Sequence, residues 1–127
     1  MKKKLVIYTA TNEEWKGIKK QTDFASSSLK KEGFIHCSFA EQTIWVANKH
    51  YLGEKEIMLL CIDSELLKSE LRIENLKGPG ELFPHVYGRI NTDSIVKAFT
   101  LKKSEAGIYR KCDKLQRVIE SEREANI

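Results

Sequence analysis

A chain of 127 residues matches one ordinary domain of about 100–150 residues and leaves no room for a second catalytic domain. Hydrophobic residues make up 41% and charged residues 31%, enough apolar material for a core, so general disorder is excluded. The formal net charge of +4 is too modest to make nucleic acid or a membrane the default partner, although Lys2, Lys3 and Lys4 stand together.

Behind those lysines the apolar run stops at Thr9, and Thr11, Asn12, Glu13 and Glu14 follow. The start is therefore not expected to be a signal peptide, and no later run approaches the roughly 20 apolar residues of a membrane span. Leu5 to Ala10 is β-branched and aromatic enough for a first strand. Thr11 or Asn12 then caps a helix with Glu13 and Glu14 in its first turn and Trp15 and Ile18 toward the core. Ala25 to Ser28 reads as a loop into a short helical turn that Gly33 ends.

A second strand is predicted over Phe34 to Ser38, with Phe34, His36 and Ser38 on one face and Ile35 and Cys37 on the other. Ser38 and Glu41 have capping-box spacing ahead of a helix marked by Ile44, Trp45, Ala47, Asn48 and Tyr51, which runs until Gly53. Ile57 to Ile62 is a continuous apolar strand suited to the centre of a sheet, with Asp63 as a cap-like residue at its end. Ser64 to Leu67 suffices for one turn. Leu71 to Leu76 alternates apolar and polar side chains, and Gly78, Pro79 and Gly80 break the chain. Glu81 to Gly88 reads as a loop, Ile95 to Leu101 as a further strand. Residues 1–104 are expected to form the domain. Residues 105–127 are a polar extension, with Leu115, Val118 and Ile119 as a thin helical stripe that lies on the domain or frays from it.

Cys37, Cys61 and Cys112 form no CxxC pair and no disulfide framework, which fits reduced thiols in the cytoplasm. Among candidates for chemistry, His36 sits near the end of a strand, where it serves either as a base or phosphate clamp or as an inward, hydrogen-bonded histidine. His85, after the Gly and Pro loop, either works in a site with Glu81 orienting its ring or points to water while Phe83, Pro84 and Tyr87 pack. His50, at a helix end, is read as a partner for the helix dipole. Ser38 lacks a nucleophile elbow and is read first as a cap. Cys37 is read as buried, opposite His36. Tyr8 and Tyr87 either stack on a ligand ring or sit on a rim, and Arg72 and Arg89 have the fork that suits phosphate. The three histidines lack metal-ligand spacing, so no metal is expected, although folding could still gather two of them with Glu81 or Glu74. No P-loop or G-x-G-x-x-G is present, and acidic residues interrupt the basic runs, against nucleic-acid binding.

Three stretches together carry a resemblance: Ile7 and Tyr8 at the end of the first strand, the run Gly33 to Ser38 containing Phe34, Ile35, His36 and Cys37, and the run Glu81 to Gly88 containing Phe83, Pro84, His85, Val86 and Tyr87. They resemble the DUF952 family of small uncharacterised bacterial proteins over roughly residues 5–101. That family in turn resembles the ADP-ribosyltransferase superfamily. The resemblance implies an α+β, ADP-ribosylation-like fold: two small antiparallel sheets form a split β core beside short helices, with NAD bound in the cleft between them. It places Tyr8 at the first-strand position and His36 and Ser38 at the middle motif, and leaves Glu81 as the late acid. The full Arg, Ser, Glu or His, Tyr, Glu set of the transferases is absent. The expectation is therefore a cytoplasmic protein whose cleft holds a small molecule, NAD or another nucleotide-like compound. His36, His85 and Glu81 are its catalytic candidates, and Tyr8, Ser38, Tyr87 and Arg89 its binding candidates. A non-catalytic ligand-binding domain, or an interaction module using the C-terminal helix, is the alternative, since fold does not decide between them.

Overall fold

The computed structural model describes residues 5–75 and 80–125. Lys2 to Lys4, Leu76, Gly78 and Pro79 lie outside the described residues. The first strand, β1 (Leu5–Ala10), runs antiparallel to β4 (Glu56–Asp63), from Leu5 opposite Asp63 to Ala10 opposite Met58. β8 (Ile95–Lys102) pairs antiparallel with the other edge of β4, giving the order β1-β4-β8. The apolar run in β4 is continuous because both faces of this sheet are covered. Met58, Leu60 and Ile62 join Val6, Tyr8 and Ala10 in one core. Ile57, Leu59 and Cys61 join Ile7, Phe99 and Leu101 in a second.

Between β1 and β4 the chain is mostly short helices. α1 (Asn12–Ile18) starts where the Thr11 side chain accepts the Glu14 N–H at 3.1 Å, and it buries Ile18. β2 (Asp23–Phe24) leads to α2 (Ser27–Glu32), which ends at Gly33 with φ 89°, a left-handed conformation that favours glycine. β3 (Ile35–His36) follows. The turn before α3 (Thr43–His50) is not capped by a Ser38 and Glu41 pair: the Gln42 side chain accepts the Phe39 N–H at 2.9 Å, and Ser38 Oγ lies 3.1 Å from Thr43 Oγ1. The cap moves one residue along because the backbone of Ser38 is occupied, exchanging bonds with Ile7 at 2.7 and 2.9 Å.

A second sheet has the order β3-β6-β5, from β5 (Glu70–Glu74) and β6 (Phe83–Tyr87). β6 corrects the expectation of a loop over Glu81 to Gly88. Pro84 lacks a ladder donor and reads as a breaker, yet its carbonyl still accepts the Cys37 N–H at 3.1 Å. Ile35 and Val86 point from this sheet into the first core. Residues 35–38 thus bond first to β6 and then, at Ser38, to β1, so one short segment joins the two sheets where they part. A two-stranded ribbon of β2 and β7 (Ile90–Asn91) adds a third sheet where two were expected. Two-residue strands are too short to leave a periodicity.

α4 (Asp113–Ala125) closes the second core with Leu115, Val118 and Ile119, all buried beside Tyr109. The apolar stripe of the helix packs in one core with Ile7, Leu59 and their neighbours, so the helix lies on the domain. Its Glu122 also accepts the Leu5 N–H at 2.8 Å. The architecture is a mixed α and β domain of antiparallel sheets with a few short helices. Among the described residues no helix is long and apolar enough to cross a membrane.

Candidate functional site

A cavity of about 870 Å³ opens where the sheets separate. β1 supplies Ile7, Tyr8 and Thr9, the joining segment supplies His36, Cys37 and Ser38, and β6 supplies Phe83 and His85. Ser26, Ser27, Ser28 and Glu32 border it at α2, and Trp45, Lys49 and His50 at α3. The wall is a folding consequence. Period-two alternation turns Ile35 and Cys37 into the core and leaves Phe34 and His36 on the other face of β3.

The register then places His36 directly opposite His85, with ring centroids 5.3 Å apart and nearly perpendicular. Phe34 stacks on His85 at 4.2 Å and meets His36 edge-on at 4.9 Å. The two histidines differ in setting. His36 is half exposed, with Nε2 2.9 Å from Oε2 of Glu32, the last residue of α2. His85 is only 6% exposed, with Nδ1 3.0 Å from Glu74 Oε1 on the neighbouring strand. Tyr87 also donates its hydroxyl to Glu74 Oε1. The bonds from Tyr87 and then His85 hold the Glu74 carboxyl below the usual carboxylate range, and the same bond raises the Tyr87 phenol. Arg72 lies over the Tyr87 ring at 4.3 Å while pairing with Glu70.

Several expected assignments change. Glu81 lines the cavity but does not orient His85; it accepts from Gln42 Nε2 at 3.0 Å, and Glu74 has the orienting place. Four residues of extended chain span about 13 Å, so a carboxylate on the adjacent strand wins over one four residues earlier. Tyr8 borders the cavity, with its ring packed at a tilt against Phe24 at 5.1 Å and its hydroxyl donating to Glu14. Burial, then the Glu14 carboxylate, raises that phenol's pKa. Arg89 is outside the cavity wall, its Nε on Asp23 Oδ1 at 2.7 Å beside the β2 and β7 ribbon. Tyr87 acts on Glu74 and is not itself a wall residue. Ser38 is on the wall, engaged with Thr43, and burial pushes the Cys37 thiol up to about 12. His50 is also a wall residue as well as a helix-end residue.

The chain order does not announce Glu74 as a partner for His85, since eleven residues separate them. Trp45 reads from the sequence as a helix-face residue and Lys49 belongs to no expected site, though their i, i+4 spacing is the signal for the observed stack, with Nζ 4.8 Å from the ring centroid. Trp45 also faces Phe83 at 6.0 Å. Among the described residues no group of three or more His, Cys, Asp or Glu is placed to hold a metal ion.

Comparison with known proteins fixes the relationship. Residues 9–98 match the family described as Protein of unknown function (DUF952). The chain belongs to the DUF952 family. It is similar to the crystal structure of protein CC0527 from Caulobacter crescentus, with TM-score 0.77 and 29% identity over 88% of this chain and 98% of that one. The solution structure of CC0527 matches with TM-score 0.71 and 30% identity, over 82% of this chain and 90% of that one. Both are structural genomics targets. No curated protein matches the chain.

Proposed function

We propose that the cavity between the sheets is the working site of this DUF952 protein and that it takes a nucleotide-like small molecule, with NAD as the first compound to test. The observation that carries this reading is the pair His36 and His85, set opposite one another by strand register on the wall of one cavity. Imidazoles held on strands keep their aim, and they serve phosphate and ribose oxygens as donors or acceptors. Lys49 adds a cation beside the exposed Trp45 ring, and Ser26 to Ser28 add hydroxyls. A volume of about 870 Å³ lies within the range of pockets that enclose a small ligand. The parting of the two antiparallel sheets at residues 35–38 supports an ADP-ribosylation-like reading of the fold.

The test is a proton and nitrogen NMR titration of the wild type and of a His36→Ala, His85→Ala double variant with NAD, ADP-ribose and nicotinamide, followed by mass analysis of the incubated NAD. Saturable shifts at the cavity residues, lost in a double variant that keeps its dispersed spectrum, support the site. Free nicotinamide makes the protein an enzyme, and saturation without it makes the cavity a binding site. An unchanged spectrum at millimolar NAD and ADP-ribose overturns the nucleotide reading.

A further inference from the structure

The two histidines are held for different tasks. Glu74 Oε1 receives Tyr87 Oη and His85 Nδ1 together, and both donor side chains sit on the same face of β6, two residues apart. A carboxylate accepts and has no proton to give. Since the Tyr87 hydroxyl donates to it, the His85 contact at 3.0 Å must also run from ring to carboxylate, which puts a proton on Nδ1. In a neutral imidazole the other nitrogen is then an acceptor. No buried side-chain nitrogen or oxygen among the described residues lacks a partner, and no bond from those residues runs to His85 Nε2, so Nε2 is the part of this buried ring that meets the cavity.

From this geometry we infer that Glu74 is a positioning residue which fixes His85 in the Nδ1–H form, so that Nε2 accepts a hydrogen bond from a ligand hydroxyl and reads the sugar part of the bound molecule. The inference rests on the cavity being the ligand site, and it adds polarity to that site. An acceptor on β6 shares the cavity with donors on β3 and α3: the half-exposed His36 and Lys49 are the groups suited to phosphate. A neutral Nε2 repels a phosphate oxygen and welcomes an O–H. Tyr87 matters indirectly, because its hydroxyl steadies the carboxylate that holds the ring. This is the arrangement by which a carboxylate behind an imidazole sets its tautomer.

The experiment begins without ligand. Long-range proton and nitrogen spectra of uniformly nitrogen-labelled wild type, recorded at a mildly alkaline pH, report which ring nitrogen of His85 carries the proton. His85→Gln assigns the resonances. The expected result is a single Nδ1–H tautomer in the wild type, kept in Glu74→Gln, whose amide oxygen still accepts, and replaced by mixed or Nε2–H tautomer in Glu74→Ala. A wild-type ring protonated at Nε2, or an Nδ1–H ring unchanged in a folded Glu74→Ala, overturns the inference. Titration then uses ADP-ribose and inorganic phosphate. His85 Nε2 should move with ADP-ribose and not with phosphate, and the affinity read from that shift should fall at least tenfold in Glu74→Ala. Movement of Nε2 with phosphate alone overturns the hydroxyl assignment. Because the tautomer is read in the free protein, failure of ADP-ribose to bind counts against the site's function and leaves the Glu74 result standing separately.

Discussion

Leu115→Ala tests whether α4 is part of the domain or an appendage. Leu115 is fully buried and packs with Tyr109, Val118 and Ile119 against the sheet. Truncating a buried leucine costs about 2–5 kcal/mol, from lost transfer energy and the cavity left behind. Leu115 also has a polar helix surface around it, and the helix end can relax more than the centre of β4, which places the expected loss near ~3 kcal/mol, in the lower half of that range. With an unfolding entropy of about 2.1 cal/mol/K per residue, a chain of 127 residues should lose about 11 °C in Tm. Thermal unfolding followed by circular dichroism reads the shift, and urea unfolding gives the free energy. Lys114→Ala, on the exposed neighbouring position, is the control and should stay within about 0.5 kcal/mol. A loss below about 1 kcal/mol for Leu115→Ala, or one no larger than the control, would refute the packing of this helix into the second core.

Gly88 has φ 149°, and a Cβ there would meet Ser69 Oγ at 2.5 Å and Ser69 Cβ at 3.0 Å. Gly88→Ala should therefore cost roughly 1–3 kcal/mol in urea unfolding; an unchanged midpoint would show that the β5 and β6 end can yield freely. Glu74→Gln should show its effect only above acid pH. The folded carboxyl is held low by Tyr87 and His85, so its contribution is complete above the unfolded value of about 4.3 and disappears as pH falls through the lower folded value. Stability of wild type and variant measured from neutral pH down should converge; a constant gap would contradict the linkage. Burial raises the thiols of Cys37 to about 12 and Cys61 to about 11. Iodoacetamide at about pH 8 should reach half-buried Cys112 first and the other two only on unfolding, a result that mass mapping checks and native labelling of Cys37 would contradict.

The elements that were legible are those whose side chains alone determine their burial. Leu5 to Ala10 and Ile57 to Ile62 stand in the chain as strands because nearly every residue in them enters one of two cores. α1 announced itself through Thr11 and two glutamates, and α2 through Gly33. β6 was hidden for the opposite reason. A proline in its second position masks the period, and its membership depends on strands β3 and β5 lying on either side. The candidate site inherited that blindness. His36 and His85 were visible as residues, yet their opposition requires the register of β3 against β6. Glu74 became the partner of His85 only because β5 runs antiparallel beside β6, bringing Glu74 opposite Phe83, which shares a face of β6 with His85.

The two sheets divide the labour of the domain. The sheet β1-β4-β8 is covered on both sides and owes its rigidity to apolar burial, so few of its side chains are available for chemistry. The sheet β3-β6-β5 covers a core with one face only, through Ile35 and Val86, and its other face is released to hold His36, His85, Tyr87, Arg72 and Glu74. Polar side chains on a single thin sheet would be loosely aimed. Here the sheet is fastened to the rigid one at Ser38 and Ile7 by two backbone bonds, and Gln42 ties the chain before β6 to α3's leading turn through Glu81 and Leu82. Glu81, expected to act on a ligand, thus has a mechanical part in keeping β6, and His85 with it, at a fixed distance from the cavity's opposite wall. Loosening that tie with Gln42→Ala should broaden the His85 ring signals while leaving the Nδ1–H tautomer set by Glu74 intact, which separates holding the strand from orienting the ring.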